Sequence, residues 1–196
     1  MFQHYVNDVF ISYTHWGAVQ KWVQYLYELL EDWLPYYLPY PPKLFIDFEI
    51  EAGTEWPSRL QRELKMSRCM LAVLSPVYFR SNWCLAEFES FRHREAILNL
   101  RTEQNPTGLI YPILFTSPPV YLPTNVKTLQ YNDLSKWAIT SPAFTHTPIH
   151  MEFEERVKIL CQELARIILG APDWRDDWPI KMPQASTDMS FATPRL

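Results

Sequence analysis

The residues able to do chemistry in this chain concentrate between Arg68 and Ser90, RCMLAVLSPVYFRSNWCLAEFES. Trp83 and Glu87 stand four apart there, which puts an aromatic plate and a carboxylate one turn from each other on one helix face. A carboxylate so placed serves a positive charge or a hydroxyl, and an indole stacks on a flat ring. The elements that must position the pair are legible on either side. Cys69–Leu74 is an apolar run too short for a helix and rich enough to be a strand buried on both faces. Ser75-Pro76 ends it, since proline cannot donate to a ladder and pushes its predecessor away from helix. Ser81 or Asn82 then offers an N-cap to a helix carrying Trp83, Leu85, Glu87, Phe88 and Phe91. The pair thus sits just beyond the carboxyl end of a strand, where open α/β sheets bind ligands.

Strand and helix signals alternate along the rest of the chain. Val9–Ile11 reads as a first strand, followed by Ser12, Tyr13, Thr14 and His15. After Gly17, Val19, Trp22, Val23, Leu26, Leu29, Leu30 and Trp33 follow the helical period. Leu34–Pro42, LPYYLPYPP, carries too much proline for a helix and is expected as an aromatic-rich connection. Leu44–Ile46 is a second strand ending in Asp47, and a loop around Glu49–Thr54 leads into a short helix from Trp56 to about Met66. Cys69–Leu74 is the third strand and Ser81 to about Leu100 the third helix. Leu109–Phe115 is a fourth strand and Val126–Tyr131 a weak fifth. A last helix runs from about Met151 to Leu169, stopped by Gly170-Ala171-Pro172. Strands separated by helices imply right-handed crossovers and a parallel sheet covered on both faces. The expected architecture is a flavodoxin-like three-layer α/β fold with a five-stranded parallel sheet in the order 2-1-3-4-5. Its switch point lies between the first and third strands, so the Ser12–Trp16 and Ser75–Trp83 loops face one crevice, with Asp47 at the same edge. Residues 1–170 are read as one domain and 171–196 as a tail that wraps it or stays disordered.

Composition narrows the function classes. A chain of 196 residues with 47% hydrophobic and 20% charged residues has enough apolar side chain for a full core. A net charge of −4 without a Lys/Arg block argues against nucleic acid or an anionic membrane as partner. Three cysteines, Cys69, Cys84 and Cys161, show no paired spacing and fit reduced thiols in a cytosol. The start lacks a signal-peptide profile and no apolar run approaches a membrane span, so a cytoplasmic protein is expected. His4, His15, His93, His146 and His150 have no metal-ligand spacing, and no metal or cofactor is expected. Four glycines cannot build a Gly-x-Gly-x-x-Gly turn or a phosphate loop, and no Gly-x-Ser-x-Gly elbow is present. A phosphoacceptor receiver would want an aspartate where Ser75 stands. Around the pair, Tyr13 and Trp16 serve equally as loop packing or site walls, Asp47 as a cap or a site acid, and Trp83 as core or stacking plate. Glu89 and Glu95 are expected to face solvent, and Cys84 to be a small buried residue.

Three segments in order, DVFISYTH at Asp8–His15, LFIDFEIEAGTEWPSRL at Leu44–Leu60 and SNWCLAEF at Ser81–Phe88, resemble the successive boxes of a Toll/interleukin-1 receptor (TIR) domain over roughly Val6–Leu169. The proline-tyrosine stretch Leu34–Pro42 departs from that pattern. One branch of the family acts as an adaptor surface, and another, found in prokaryotes, cleaves NAD⁺ between nicotinamide and ribose. Tryptophan four residues before glutamate resembles the cleaving branch, which implies an NAD⁺ glycohydrolase or cyclase yielding nicotinamide with ADP-ribose or a cyclic isomer. In bacteria this fits antiphage or stress defence. The resemblance implies Glu87 as the catalytic carboxylate, with Trp83, Ser12, Tyr13, Thr14, Asp47, Trp56 and Ser75 as candidate substrate-binding residues; Ser12, Thr14 or Ser75 would receive the diphosphate. NAD⁺ is then substrate rather than cofactor. The implied partners are a second copy, docking through the Glu49–Trp56 loop, and an activator or downstream effector. A non-catalytic adaptor acting by assembly is the competing reading.

Overall fold

The structure is a computed structural model that describes residues 4–47, 56–104, 106–116, 123, 126 and 129–183. Strands β1 (Asn7–Ser12), β2 (Leu44–Ile46), β3 (Ser67–Leu74), β4 (Ile110–Leu114) and β5 (Asn132–Asp133) form one parallel sheet in the order β2-β1-β3-β4-β5. Val9 pairs with Leu44 on one side and Cys69 on the other, and Leu71 pairs with Tyr111. Helices α1 (Gly17–Trp33), α2 (Trp56–Lys65), α3 (Asn82–Ile97) and α4 (Pro148–Leu169) cover the two faces. The flavodoxin-like order expected from the sequence is the one observed.

Period-two alternation divides β3 between the two layers. Cys69, Leu71 and Val73 face α1 and α4 with Trp22, Leu26, Phe153 and Leu160, while Met70, Ala72 and Leu74 face α2 and α3 with Leu64, Phe88 and Phe91. Both faces are dry, which is why the strand reads as a continuous apolar run. Gly17 opens α1 at φ +49°, a left-handed conformation that a β-branched residue resists. The third helix stops at Ile97. Asn99, in the left-handed region at φ 52°, donates to the Ala96 carbonyl, and Leu100 N–H donates to the Glu95 carbonyl, a Schellman ending.

Three expectations are corrected. The fifth strand is not Val126–Tyr131 but the two residues that follow, Asn132–Asp133. Val126 and Leu129 are apolar at a spacing of three, not two; Leu129 N–H closes a turn on the Val126 carbonyl and both side chains plug the α3-side core. The proline-rich connection begins with a 3-10 turn, Leu34–Tyr37, continuing from α1. Pro35 is tolerated there because its missing N–H falls where a helical start has no internal partner. Glu95 does not face solvent. It is 1% exposed and accepts hydrogen bonds from Leu109 N and Ile110 N at 2.6 and 3.0 Å and from Arg92 and Arg101, supplying acceptors to N–H groups where the chain enters β4.

Residues 171–183 lie across α2 and α3. Trp178 is buried with its indole N–H on the Tyr5 hydroxyl, Lys181 N–H donates to Ser90 Oγ, and Asp176 pairs with Lys65. No helix among the described residues is long and apolar enough to cross a membrane.

Candidate functional site

Two chain segments leave neighbouring strands at the same sheet edge and face each other. From β1, Ser12 is the last strand residue and Tyr13, Thr14, His15 and Trp16 follow; from β3, Ser75 starts a turn that passes through a 3-10 segment, Tyr78–Arg80, into α3. Ser75 Oγ accepts from Tyr78 N at 3.2 Å and tightens that turn. Ser81 caps α3 through a bond from Cys84 N at 3.3 Å to its Oγ. The cap fixes the first turn of α3, and with it the direction of Trp83 and Glu87.

Between the two segments lies a cavity of about 700 Å³. Tyr13, Thr14, His15 and Trp16 wall one side, and Val77, Arg80, Ser81, Trp83, Cys84 and Glu87 the other. Trp83 is half-buried, packing on the α3-side core as well as lining the cavity. Trp16 is 72% exposed and Tyr13 is buried, its hydroxyl donating to the Asp47 carbonyl at 2.8 Å. His15 stacks on Tyr13 with ring centroids 4.8 Å apart. Partial burial there moves the imidazole below its ordinary pKa, which favours the neutral ring.

Glu87 is 8% exposed. Its Oε2 lies 2.6 Å from Ser12 Oγ, which in turn lies 2.8 Å from the Tyr78 hydroxyl; that hydroxyl donates to the Cys84 carbonyl at 3.2 Å. Burial pushes the Glu87 carboxyl up to about 8, the Ser12 hydrogen bond works against that rise, and the Asp47 carboxylate adds to it. Asp47 and Glu87 share a second, narrow cavity of about 20 Å³ with Tyr13, His15 and Leu60. The Cys84 thiol is pushed up to about 12 by burial, so it is a thiol and no nucleophile. Among the described residues no cluster of three His, Cys, Asp or Glu side chains is set to hold a metal ion.

The structure therefore brings Glu87, Trp83, Ser12, Tyr13, Thr14 and Asp47 to one place. Ser75 is buried in its own turn and is absent from the cavity wall, and Ser12 is committed to Glu87 and Tyr78. Thr14 differs: its residue lines the cavity, and its Oγ1 is buried with no hydrogen-bond partner among the described residues. The Trp56 side chain and the 49–55 loop lie outside the described residues. Sequence reasoning missed Tyr78 and Arg80. A tyrosine three residues past the strand-ending serine signals a turn aromatic, but its meeting with Ser12 spans 66 positions. Arg80 is the one guanidinium on the described wall, its Nε held by the Pro76 carbonyl at 3.3 Å.

A parallel sheet of this order, with a cavity at its β1/β3 switch point, defines a flavodoxin-like α/β domain. The TIR domain family matches residues 9–146, well over half of the chain, and the chain belongs to that family. Two solved structures are similar at the level of the fold. The TIR domain of the Toll-related receptor TRR-2 from Hydra magnipapillata is 17% identical, with 78% of this chain and 99% of that one covered at a TM-score of 0.45. The TIR domains of the activated Roq1 resistosome directly recognising the pathogen effector XopQ are also 17% identical, with coverages of 84% and 85% and the same TM-score. Among curated proteins, no match is found.

Proposed function

We propose that this TIR domain cleaves NAD⁺ at the nicotinamide–ribose bond, with Glu87 as the catalytic carboxylate. One observation carries the reading. A buried acid stands at the base of an aromatic-walled cavity of about 700 Å³, one helical turn from Trp83, at the positions that resemble the family's NAD-cleaving branch.

Ordinary glycosidases need two carboxyl groups because one must protonate an alkoxide leaving group. Nicotinamide is attached as a pyridinium and departs neutral, so one carboxylate facing the ribosyl cation suffices. In this assignment Trp83 stacks on the nicotinamide and Tyr13 and Trp16 close the opposite wall. Thr14 Oγ1 takes a polar group of the substrate, and Arg80, beside the Ser81 cap of α3, takes the diphosphate. The residues that meet phosphate are thus Thr14 and Arg80, rather than Ser12 or Ser75. Glu87 differs from the equally buried Glu95, whose oxygens are taken up by backbone N–H groups and two arginines, in lining the cavity and forming no ion pair among the described residues. Hydrolysis or cyclisation then depends on which nucleophile reaches the cation. Antiphage or stress defence in a prokaryote is the role that fits such consumption of NAD⁺, with head-to-tail assembly through the 49–56 loop completing the site. Incubating the purified chain with NAD⁺ and separating the products chromatographically tests the reading. Nicotinamide release by the wild type supports it; a folded, assembled protein that leaves NAD⁺ intact returns the chain to the adaptor class.

A further inference from the structure

Glu87, His15 and Tyr13 line two cavities at once. On one side lies the large cavity, with Trp16, Arg80 and Trp83 on its walls; on the other lies the narrow one of about 20 Å³, walled further by Phe10, Ile11, Leu60 and Asp47. A buried water needs about 10–15 Å³ and two to four polar partners, so the narrow cavity takes one water and has no room for a second. Its size is set by regular structure rather than by loop. Phe10 and Ile11 belong to the central strand β1, Phe10 stacked on Phe45 at 5.3 Å and Ile11 paired with Ile46 and Leu71, and Leu60 is buried on α2. Walls packed in this way do not widen for a larger guest.

The polar residues of the narrow cavity are Asp47, Glu87, His15 and Tyr13. The Tyr13 hydroxyl donates to the Asp47 carbonyl. Ser12 engages Glu87 through Oε2 at 2.6 Å, and among the described residues no hydrogen bond reaches Oε1, which is left to accept from a water. His15 is held by its face, stacked on Tyr13, and among the described residues neither ring nitrogen has a hydrogen-bond partner. The ring is neutral under ordinary conditions, because partial burial lowers its affinity for a second proton, so one nitrogen is an acceptor. A carboxyl oxygen and an imidazole nitrogen therefore stand on the boundary between a place for one water and a cavity large enough for a nucleotide.

We propose that the narrow cavity is the seat of the nucleophile: it holds one water, His15 accepts the proton of that water as it attacks, and the product is ADP-ribose rather than a cyclic isomer. The proposal rests on the cleavage assigned above and deepens it by naming the nucleophile, its place and the group that takes its proton. The steps balance. The C–N bond breaks with its electron pair going to nicotinamide, which leaves the ribosyl cation beside Glu87. The seated water forms the new C–O bond at the same ribose carbon, and its proton passes to the free nitrogen of His15 and from there to solvent. The net change is NAD⁺ and water to ADP-ribose, nicotinamide and one proton. Return of nicotinamide to the cation, which regenerates NAD⁺, uses neither the seat nor His15.

The test follows how the cation partitions in the intact chain. Wild-type protein turns over NAD⁺ in dilute methanol, and ADP-ribose, its methyl glycoside and cyclic product are separated; exchange of isotopically labelled nicotinamide into NAD⁺ is measured in parallel. Methanol overfills a one-water seat, so the methyl glycoside should form roughly tenfold below the share that the methanol-to-water ratio gives. His15→Asn keeps a polar group on the wall and removes the proton acceptor, and Leu60→Phe pushes a ring into the seat. In each, checked for fold by circular dichroism, ADP-ribose formation should fall about tenfold or more while nicotinamide exchange stays near the wild-type rate. Methyl glycoside at or above the bulk ratio overturns the seat, as does a wild type that yields mainly cyclic product. Hydrolysis and exchange falling together in His15→Asn overturns the proton transfer. If Leu60→Phe does not fold, the methanol partition of the wild type still decides. Nicotinamide release with bulk-ratio methanolysis removes the seat and leaves the cleavage standing; neither release nor exchange removes both.

Discussion

Replacing Glu87 by Gln changes stability in a way that depends on pH, with a sign fixed by where the carboxyl sits. In the folded chain the acid is held up to about 8 against an ordinary value of 4.5, chiefly by burial. An acid raised on folding binds its proton more tightly in the native state. Its stabilising contribution is therefore complete below the unfolded value and is lost as pH rises towards the folded one. Between those limits each pH unit removes about 1.4 kcal/mol, for a ceiling of about 5 kcal/mol across the window. Glutamine keeps the size and accepts the Ser12 hydroxyl but does not titrate. Its fixed cost, an amide in place of an acid in the hydrogen-bond series, is about 1–2 kcal/mol and does not vary with pH. The informative quantity is the stability difference between variant and wild type followed over pH. Urea unfolding monitored by the fluorescence of the eight tryptophans, at about pH 5 and pH 9, gives it directly. The variant should gain on the wild type by several kcal/mol between the two, equivalent to roughly ten degrees or more in Tm for a chain of this size. Parallel curves for the two proteins would mean that Glu87 titrates like a solvated carboxyl, and the burial argument would be wrong.

Trp83→Ala should remain folded by circular dichroism, with reduced NAD⁺ turnover and a shift in product ratio larger than the change in total consumption, since it removes orientation and leaves the charge. A fully active alanine variant would reduce Trp83 to core packing. Glu95→Ala strips the acceptor from Leu109 N–H, Ile110 N–H, Arg92 and Arg101, and should cost about 3–5 kcal/mol in urea unfolding; a loss below about 1 kcal/mol would return Glu95 to the surface. Substituting Gly53 by valine should lower association and specific activity together, and wild-type specific activity should rise with concentration. Light scattering that shows a monomer at constant specific activity would dissociate turnover from assembly.

The sequence exposes those parts of the fold whose cause is local. The β3 run Cys69–Leu74 and the α1 stripe from Val19 to Leu30 carry their periods in neighbouring residues, and four strands and four helices follow from such signals. Glu87 was legible for the same reason, one turn from Trp83 behind a capping serine. What stayed hidden depends on distant chain. α3 buries Glu87, Ser90, Arg94 and Glu95 together with its apolar residues, so no polar stripe marks an outer face. Ser90 is covered by the Lys181 backbone and Glu95 by the chain entering β4. Arg94 reaches the Leu64 and Ser67 carbonyls at 2.8 and 3.1 Å. The fifth strand has only two residues and takes its place from pairing with Ile113 and Leu114, not from its own propensity.

The most direct measurement is nicotinamide release from NAD⁺ by purified wild-type chain beside Glu87→Gln, with both shown folded and in the same state of association. The wild type should consume NAD⁺, and the glutamine variant should fall by about 10²-fold or more, the scale expected for losing a principal electrostatic stabiliser. Equal turnover by the two proteins would contradict the assignment of Glu87 as the catalytic carboxylate.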